Sequence, residues 1–268
     1  MEKLVSIDLK ADFGFLRKPD TNEGISISYN MLHKPGLLGV FGAILGMDGY
    51  QKRGELPEYY QKLHKLKIGI APIDRDNSNE TSTGNFAKTT IVYTNTVGYA
   101  NKDKNSNPAT FVAYESTLVR PSYRTFVILS DSDPLYQYLK RGDAEYLPYL
   151  GKNEFPLWWD NFQEYTPKPF SRDQEFEVKS LFVKKDQVRE KETGAKTKGS
   201  VDFLLNSTEP PFFLFERLPL DFQEFETGRG MEYQYRLIPF TYTNAKFPKD
   251  LDIDNLYEIA PGEVVQLN

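Results

Sequence analysis

The sequence predicts an α+β fold, because strand patterns and helix patterns follow one another along a single chain. Residues 4–12 alternate apolar and polar side chains, which is typical of a half-buried strand. Residues 35–47 are apolar and rich in glycine, and Pro35 marks a helix start because its missing N–H costs nothing there. With 268 residues, of which 39% are hydrophobic, the chain can bury a substantial core.

The remaining elements can be assigned in order. Pro57 begins an amphipathic helix that runs to about residue 66, and residues 133–141 form a third helix, which Ser132 or Asp131 is expected to cap. Further strands are predicted at residues 25–29, 67–73, 124–129, 211–218, 232–241 and 256–267. The order strand, helix, strand, hairpin insertion, strand, helix, strand fits a ferredoxin-like module with additions. That module is also an RNA-recognition fold, although a fold alone does not establish a function.

The glycine-rich helix separates its side chains by size. At about 100° per residue, the large apolar side chains share one broad face. The other face holds Gly39, Gly42, Ala43 and Gly46. Each interior glycine costs a helix about 1 kcal/mol relative to alanine, so three of them need a tertiary reason. Either the helix presses closely against a sheet or a second helix, or a partner must approach its backbone.

No repeat or linker divides the chain, so residues 1–268 are expected to form a single unit. Residues 74–117 have the pattern of a polar hairpin insertion, which either is simply exposed or grips a partner. Residues 171–268 are expected to form a β-rich extension. Its lysine-rich part, KKDQVREKETGAKTKGS, has the pattern of a solvated hairpin or loop.

Composition argues against several function classes. The chain has no cysteine, which removes disulfides, thiol catalysis and thiolate metal sites. Its two histidines, His33 and His64, are too few for a histidine-rich metal centre, and no cofactor signature is present. The net charge of −5 argues against a free-standing nucleic-acid-binding domain but allows a local basic groove. A charged N-terminus and the lack of a long apolar run predict a soluble, cytoplasmic protein without a membrane partner.

The start of the glycine-rich helix is the strongest local candidate for an anion site. Backbone N–H groups from Gly36 onward follow His33 and Lys34, and helix-terminal amides beside a cation suit phosphate. The alternative is an ordinary helix start with a surface lysine.

Two further groups could contact RNA. In Gly151-Lys152-Asn153, glycine permits a tight turn, lysine supplies charge, and asparagine can read a base edge or cap a turn. The segments at 13–19 and 118–124 pair cations with aromatic rings, which RNA-binding proteins use for phosphates and for stacking unpaired bases. The cations and rings concerned are Arg17, Lys18, Arg120, Arg124, Phe13, Phe15 and Tyr123.

Several of these segments, in the same order, resemble the CRISPR-associated Cas-five family, a repeat-associated (RAMP) subunit at the foot of type I Cascade complexes. They are FGFLRKP at 13–19, PGLLGVFGAILG at 35–46, LVRPSYR at 118–124, YLGKNEFP at 149–156 and GEVV at 262–265. The resemblance spans nearly the whole chain and indicates a type I-B-like member. It implies a ferredoxin-like module whose hairpin insertion is a protruding thumb, and a glycine loop placed against guide RNA.

The resemblance implies a non-catalytic, structural role. The subunit would hold the 5′ handle of the CRISPR RNA and contact a Cas-seven-type backbone subunit and the large subunit, with target DNA read by guide pairing. The residues expected to bind RNA are Arg17, Lys18, His33, Lys34, Gly36, Arg120, Tyr123, Arg124, Gly151, Lys152 and Asn153. The six cations among them are expected to converge on one groove. No catalytic residue, metal or cofactor is expected.

Two alternatives remain open at the level of sequence. In one Cascade subtype the Cas-five member itself cleaves the CRISPR RNA precursor without metal, which needs a base for the ribose 2′-OH and an acid for the leaving oxygen. His33, with Tyr29 and Lys34 nearby, is the evident candidate here, but the Lys-His pair of that subtype is missing. The other alternative is a protein-interaction module unrelated to RNA.

Overall fold

The computed structural model describes residues 1–19, 24–77, 82–96, 110–183, 211–227, 230–249 and 253–268. The predicted α+β class is confirmed, and the chain is rich in sheet. The helices of the described residues are α1 (Lys34–Ile44), α2 (Glu58–Leu63) and α3 (Pro134–Arg141). The strands are β1 (Glu2–Ala11), β2 (Phe13–Gly14), β3 (Ile25–Ile27), β4 (Ile68–Pro72), β5 (Lys88–Thr96), β6 (Thr110–Val119), β7 (Ser122–Ser130), β8 (Leu157–Tyr165), β9 (Lys168–Pro169), β10 (Phe176–Val178), β11 (Phe213–Thr227), β12 (Gly230–Thr243), β13 (Lys246–Phe247), β14 (Leu256–Ala260) and β15 (Glu263–Gln266).

The central sheet has the strand order β4-β7-β1-β8, and each neighbouring pair is antiparallel. Its strands and the two helices α1 and α3 follow the chain order β1, α1, β4, β7, α3, β8. The sequence predicts β1 as a half-buried strand, but both of its faces are covered. Ser6 and Asp8, on the polar side of the alternation, are as buried as Val5 and Ile7. The alternation of apolar and polar residues did not predict burial in β1, because its polar face is covered by side chains that form hydrogen bonds with it.

Close packing against a second helix explains the glycine face of α1. An added Cβ at Gly42 would lie 3.0 Å from Tyr59 Cγ and closer still to Tyr59 Cβ, so α2 approaches the backbone of α1 directly. The helix ends at Ile44, earlier than predicted, because Gly46 takes a left-handed conformation with φ of 71°. Tyr59 therefore supplies the tertiary reason for Gly42, whereas Gly39 makes only ordinary contact with Tyr59 and Gly46 lies against Glu145.

Helix α3 begins one residue later than the sequence indicates. Its N-cap is Asp133, whose carboxylate accepts a 2.8 Å hydrogen bond from the Leu135 backbone N–H. The predicted caps, Ser132 and Asp131, lie outside the helix, because Pro134 occupies the first turn and makes Asp133 the last extended residue. The helix ends at Arg141 and is followed by Gly142 as its C-cap, with φ of 73°.

The predicted hairpin insertion contains β5 and β6, which pair antiparallel from Lys88↔Leu118 onward, and residues 97–109 between them lie outside the described residues. Strands β2 and β3 also pair with β6, so the insertion is continuous with the start of the chain. This sheet carries exposed apolar side chains. They are Ile25, Val92, Val112 and Tyr114.

The C-terminal part forms the long β11–β12 hairpin and a five-stranded sheet ordered β13-β10-β15-β14-β9. That sheet has its own buried cluster, built around Phe176, Val178 and Val264. The strand predicted at 256–267 is two strands, β14 and β15, joined at Gly262 with φ of 75°. The lysine-rich segment at 184–200 lies outside the described residues.

Replacing Gly42 with alanine should lower the free energy of unfolding, because its Cβ must displace Tyr59; overpacking of this kind costs about 1–3 kcal/mol. Gly39→Ala is the matched control. Its Cβ would lie 3.7 Å from the nearest Tyr59 atom, so it should be neutral or stabilising by up to about 1 kcal/mol through helix propensity. Urea denaturation of both variants measures the difference. Equal changes in the two variants would contradict the packing explanation.

Candidate nucleic-acid interface

Three of the segments singled out from sequence meet in the folded chain. Phe13 and Gly14 pair with Val119 and Leu118 as neighbouring strands. The Phe15 backbone N–H then donates a 3.1 Å hydrogen bond to the Leu150 carbonyl. We refer to the surface formed where these segments meet as the glycine-loop site, which comprises Phe13, Phe15, Arg17, Arg120, Gly151, Lys152 and Asn153.

Gly151 allows the closest approach in this site. It has φ of 86°, a conformation that side chains disfavour. An added Cβ would overlap the Phe15 carbonyl oxygen and lie 2.6 Å from the Phe15 carbonyl carbon. The loop therefore rests directly on the backbone of the basic turn, and only glycine fits at this position.

Lys152 lies in a network of acidic and aromatic groups. Its amine is 2.7 Å from a Glu115 carboxylate oxygen and 3.3 Å from one of Glu154. It also lies 4.0 Å from the ring centroid of Tyr93 and 5.5 Å from that of Phe15. Burial acts to lower the pKa of Lys152, but hydrogen bonds, first among them the one to Glu115, outweigh burial and raise it. The amine is thus charged at neutral pH and is shared between β6 and the glycine loop.

The accessible side chains of the site are Phe13, Arg17, Arg120 and Asn153. Arg120 is 53% exposed and its partner Asp76, 2.6 Å away, is 75% exposed. An exposed pair of this kind contributes about 0–1 kcal/mol, so a phosphate can replace the carboxylate at small cost. Arg120 also has φ of 52°, which turns the chain between β6 and β7.

Lys18 points to the C-terminal hairpin rather than away from the protein. Its amine is 3.1 Å from a carboxylate oxygen of Glu216, which is nearly buried. The same carboxylate accepts hydrogen bonds from the backbone N–H groups of Asn30, at 3.1 Å, and Met31, at 3.0 Å. Lys18 and Glu216 therefore tie the basic turn, the segment before α1 and β11 together.

The helix-start residues do not form the predicted anion site. His33 is buried, caps α1 and accepts a 3.1 Å hydrogen bond from the Gly36 N–H through Nδ1. Burial lowers the pKa of His33 to about 3, so the ring is neutral at pH 7. The Lys34 amine donates hydrogen bonds of 2.9 Å to the Leu66 and Asn268 main-chain oxygens. The Gly36 N–H and the Lys34 amine, which were expected to bind phosphate, therefore form hydrogen bonds within the protein instead.

Tyr123 and Arg124 are structural residues, which corrects two predicted RNA contacts. Tyr123 is 1% exposed and its hydroxyl donates to the Asn30 carbonyl, so its ring cannot stack on a base. Arg124 binds Asp8 through two hydrogen bonds of 2.7 and 2.8 Å. Asn161 donates a third hydrogen bond to this fully buried carboxylate. Arg124 and Asp8 face each other in the β1–β7 register, where a buried charge needs its partner.

The six cations consequently do not share one groove. Arg17, Arg120 and Lys152 belong to the glycine-loop site. Lys18, in the same basic turn as Arg17, is paired with Glu216 instead. Lys34 binds main-chain oxygens at the C-terminus, and Arg124 is enclosed with Asp8. Only the cations of the glycine-loop site remain from the predicted six-cation groove.

Sequence reasoning missed the acidic and aromatic partners of this site. Tyr93 and Glu115 carry no signal of their own, because they approach Lys152 from strands β5 and β6, while Glu154 lies in the glycine-loop segment itself. Glu216 does carry one. It lies between Leu214 and Leu218 at alternate positions of a strand, and a carboxylate on an apolar face must find a partner.

Within the described residues, no three histidine, aspartate or glutamate side chains come together as a metal site. In the same part of the chain, no helix is both long and apolar enough to cross a membrane.

No protein-family model matches the sequence, and no curated protein matches it. Solved structures give weak similarities. A chain of a CRISPR RNA-guided surveillance complex is 15% identical with a TM-score of 0.43, covering 92% of each chain. A CRISPR protein from Archaeoglobus fulgidus is 15% identical with a TM-score of 0.43, covering 98% of each chain. A chain of the type III-B Cmr-beta complex bound to cognate target RNA is 10% identical with a TM-score of 0.41, covering 89% of this chain and 85% of the other. Such values assign neither a family nor a function.

Gly151→Ala should destabilise the protein by more than Gly142→Ala does. Both glycines have positive φ, so each substitution costs about 1–2 kcal/mol of backbone strain. An added Cβ at Gly142 meets nothing within 4 Å, whereas at Gly151 it overlaps the Phe15 carbonyl. Hydrogen exchange gives the local measurement: the Phe15 amide should lose protection in Gly151→Ala and keep it in Gly142→Ala. Equal stability of the two variants would argue against a close approach at Gly151.

Proposed function

We propose that this chain is a non-catalytic, guide-RNA-binding structural subunit of a CRISPR type I surveillance complex, of the Cas-five kind and type I-B-like. In this role it holds the 5′ handle of the CRISPR RNA at the foot of the complex. The proposal starts from the ordered sequence resemblance and is supported by the way the chain folds around the glycine-loop site.

The observation that carries the proposal is the meeting of three resembling segments. The basic turn at 13–19, the segment at 118–124 and the glycine loop at 149–156 are joined through backbone hydrogen bonds. The basic turn lies more than 100 positions from the other two, so their shared surface is a property of the fold. In these segments Arg17, Arg120, Asn153 and the ring of Phe13 are all exposed. Cations for phosphates and rings for unpaired bases are what single-stranded RNA binding requires.

The topology supports the finer fold assignment. The chain order β1, α1, β4, β7, α3, β8 with the sheet order β4-β7-β1-β8 is that of a ferredoxin-like module. On this proposal, residues 74–117 are the thumb and residues 171–268 the β-rich extension of one RAMP-type unit. The exposed apolar side chains of Ile25, Val92, Val112 and Tyr114 on the sheet of the thumb suit a protein neighbour. The neighbours are a Cas-seven-type backbone subunit and the large subunit, and target DNA is reached through the complex in the cytoplasm.

The proposal that the subunit is non-catalytic is supported by the position of His33. A general base or acid for RNA cleavage must reach the ribose and titrate near neutral pH. His33 is enclosed between the rings of Tyr29 and Tyr235, and burial lowers its pKa to about 3. His64 is exposed at the end of α2, with its ring against main-chain oxygens.

Arg17→Gln combined with Arg120→Gln should weaken binding of repeat-derived RNA to the purified full chain. Each phosphate that the double variant no longer binds should reduce the slope of log K against log salt by roughly 0.7 for a single strand. Fluorescence anisotropy across a salt series measures both quantities. Arg53→Gln is the control, since Arg53, like Arg120, is exposed and paired with one carboxylate, that of Glu232. An unchanged slope in the double variant, or an equal weakening in the control, would exclude the glycine-loop site as the RNA contact.

Repeat RNA incubated with the protein in EDTA should remain intact, because His33, the candidate base or acid, is buried and its pKa is lowered to about 3. Denaturing electrophoresis of end-labelled RNA measures this. A discrete cut that disappears in His33→Ala, with folding retained by circular dichroism, would favour the metal-independent endoribonuclease instead.

A further inference from the structure

The outer face of the C-terminal hairpin carries two exposed, parallel aromatic rings. Phe213 and Phe215 lie at alternate positions of β11, so both point to the same side. Their ring centroids are 5.9 Å apart and their planes differ by 7°. Phe213 is 37% exposed and Phe215 is 72% exposed. Exposing apolar rings to water is unfavourable, and exposed ring faces can stack on a planar group.

Arg217 continues this row at the next alternate position and is also exposed. Among the described residues it forms no ion pair or hydrogen bond, in contrast to Arg124, Arg120 and Arg236. An exposed guanidinium without a carboxylate partner, two positions from Phe215 on the same side of the strand, offers a phosphate contact and a planar group that can itself stack.

The opposite strand leaves the rings uncovered. The partners of Phe213, Phe215 and Arg217 in the β11–β12 register are Thr243, Thr241 and Pro239. These side chains are small and carry no charge, so none of them covers the ring faces from across the hairpin. The inner face of β11 is fixed, because Glu216 is hydrogen-bonded to the main chain before α1 and Leu218 is buried. The rings therefore lie on a strand whose opposite face is packed against the rest of the fold.

We propose that Phe213, Phe215 and Arg217 form a stacking platform for single-stranded nucleic acid, distinct from the glycine-loop site. Successive bases stack on the two phenylalanine rings, and Arg217 binds the phosphate between or beside them. Stacking of this kind is tolerant of sequence because every base has a planar face. The platform extends the contact with a single strand beyond the handle, and it does not depend on the handle being bound at the glycine-loop site.

The chemistry of this face favours a nucleic acid over a protein partner. A specific protein interface buries about 800 Å² on each side around an apolar centre. Here the two rings are bordered by threonines, by the exposed Pro239 and by a cation, which is a small apolar area. Two parallel rings with one cation correspond to bases with their phosphate, which is the repeating unit of a single strand.

The test uses the full chain and a short fluorescein-labelled oligouridylate, with anisotropy measured over a salt series. Phe215→Ala should weaken binding roughly tenfold, since one base stacked on a ring contributes about 1–3 kcal/mol. Phe215→Trp should retain binding, and oligouridylate should quench the fluorescence of the added indole relative to the parent protein. Arg217→Gln should reduce the salt slope by roughly 0.7. Met231→Ala, at another exposed apolar position on the same hairpin, is the control and should bind as the parent does.

Oligouridylate binding that is unchanged in both Phe215→Ala and Arg217→Gln would overturn the platform. The platform would also be overturned if the Phe215→Ala variant bound oligouridylate as the parent does but no longer bound a purified backbone subunit. That result would assign this face to a protein partner. Equal weakening in Met231→Ala would also overturn it, because the effect would then be a general one of the hairpin. The Arg17→Gln and Arg120→Gln variants in the same assay distinguish the two sites. If oligouridylate binding weakens in those variants but not in Phe215→Ala, the proposed function is retained and the platform is excluded.

Discussion

The contact between Gly151 and the backbone of Phe15 is the constraint on which the candidate site depends. Because no side chain separates the two backbones, the glycine loop and the basic turn behave as one surface. The Phe15–Leu150 hydrogen bond and the pairing of β2 with β6 then fix Arg120 beside the same turn. Lys152 completes the arrangement by joining the loop to Glu115 on β6. The backbone of the site is therefore held by close contacts and hydrogen bonds, while Phe13, Arg17, Arg120 and Asn153 are exposed on its outside.

Strand β11 connects both proposed nucleic-acid contacts. Its inner face presents Glu216, which binds Lys18 of the basic turn and the backbone before α1. Its outer face presents Phe215 and Arg217 at the adjacent positions on either side. A buried carboxylate bound by one cation and two N–H groups is costly to disrupt, so the hairpin and the turn hold a fixed relation. A single strand of RNA that passes from the glycine-loop site to the platform would follow elements joined through this one side chain.

Local patterns in the sequence predicted the helices and strands well, but they predicted poorly which side chains are buried and which are exposed. Proline and glycine fix backbone geometry at one position, so the starts of α1 and α3 and the end of α3 could be located nearly to the residue. Strand β8 was missed, since its Trp158-Trp159-Asp160 segment has the pattern of an aromatic anchor and gives no clean alternation. Tyr123 and Arg124 were predicted as RNA contacts because a cation beside a ring gives the same sequence signal in a core as on a surface. Only their partners, more than 90 positions away, distinguish the two cases.

Burial decides which of the chain's paired cations can exchange a carboxylate for a phosphate. The chain is acidic overall, with 38 acidic against 33 basic side chains, so most of its cations can meet a carboxylate when it folds. Asp8 is fully buried beside Arg124, which is 20% exposed, and removing Arg124 would leave that carboxylate buried without its cation, at a cost of several kcal/mol. Arg120 with Asp76 is open to water on both sides, where a pair is worth little and a phosphate, which carries more oxygen acceptors, competes well. An acidic protein can thus bind RNA locally if its exposed arginines lie where the backbone already forms a docking surface. The RNA-binding role proposed for the glycine-loop site depends on that condition.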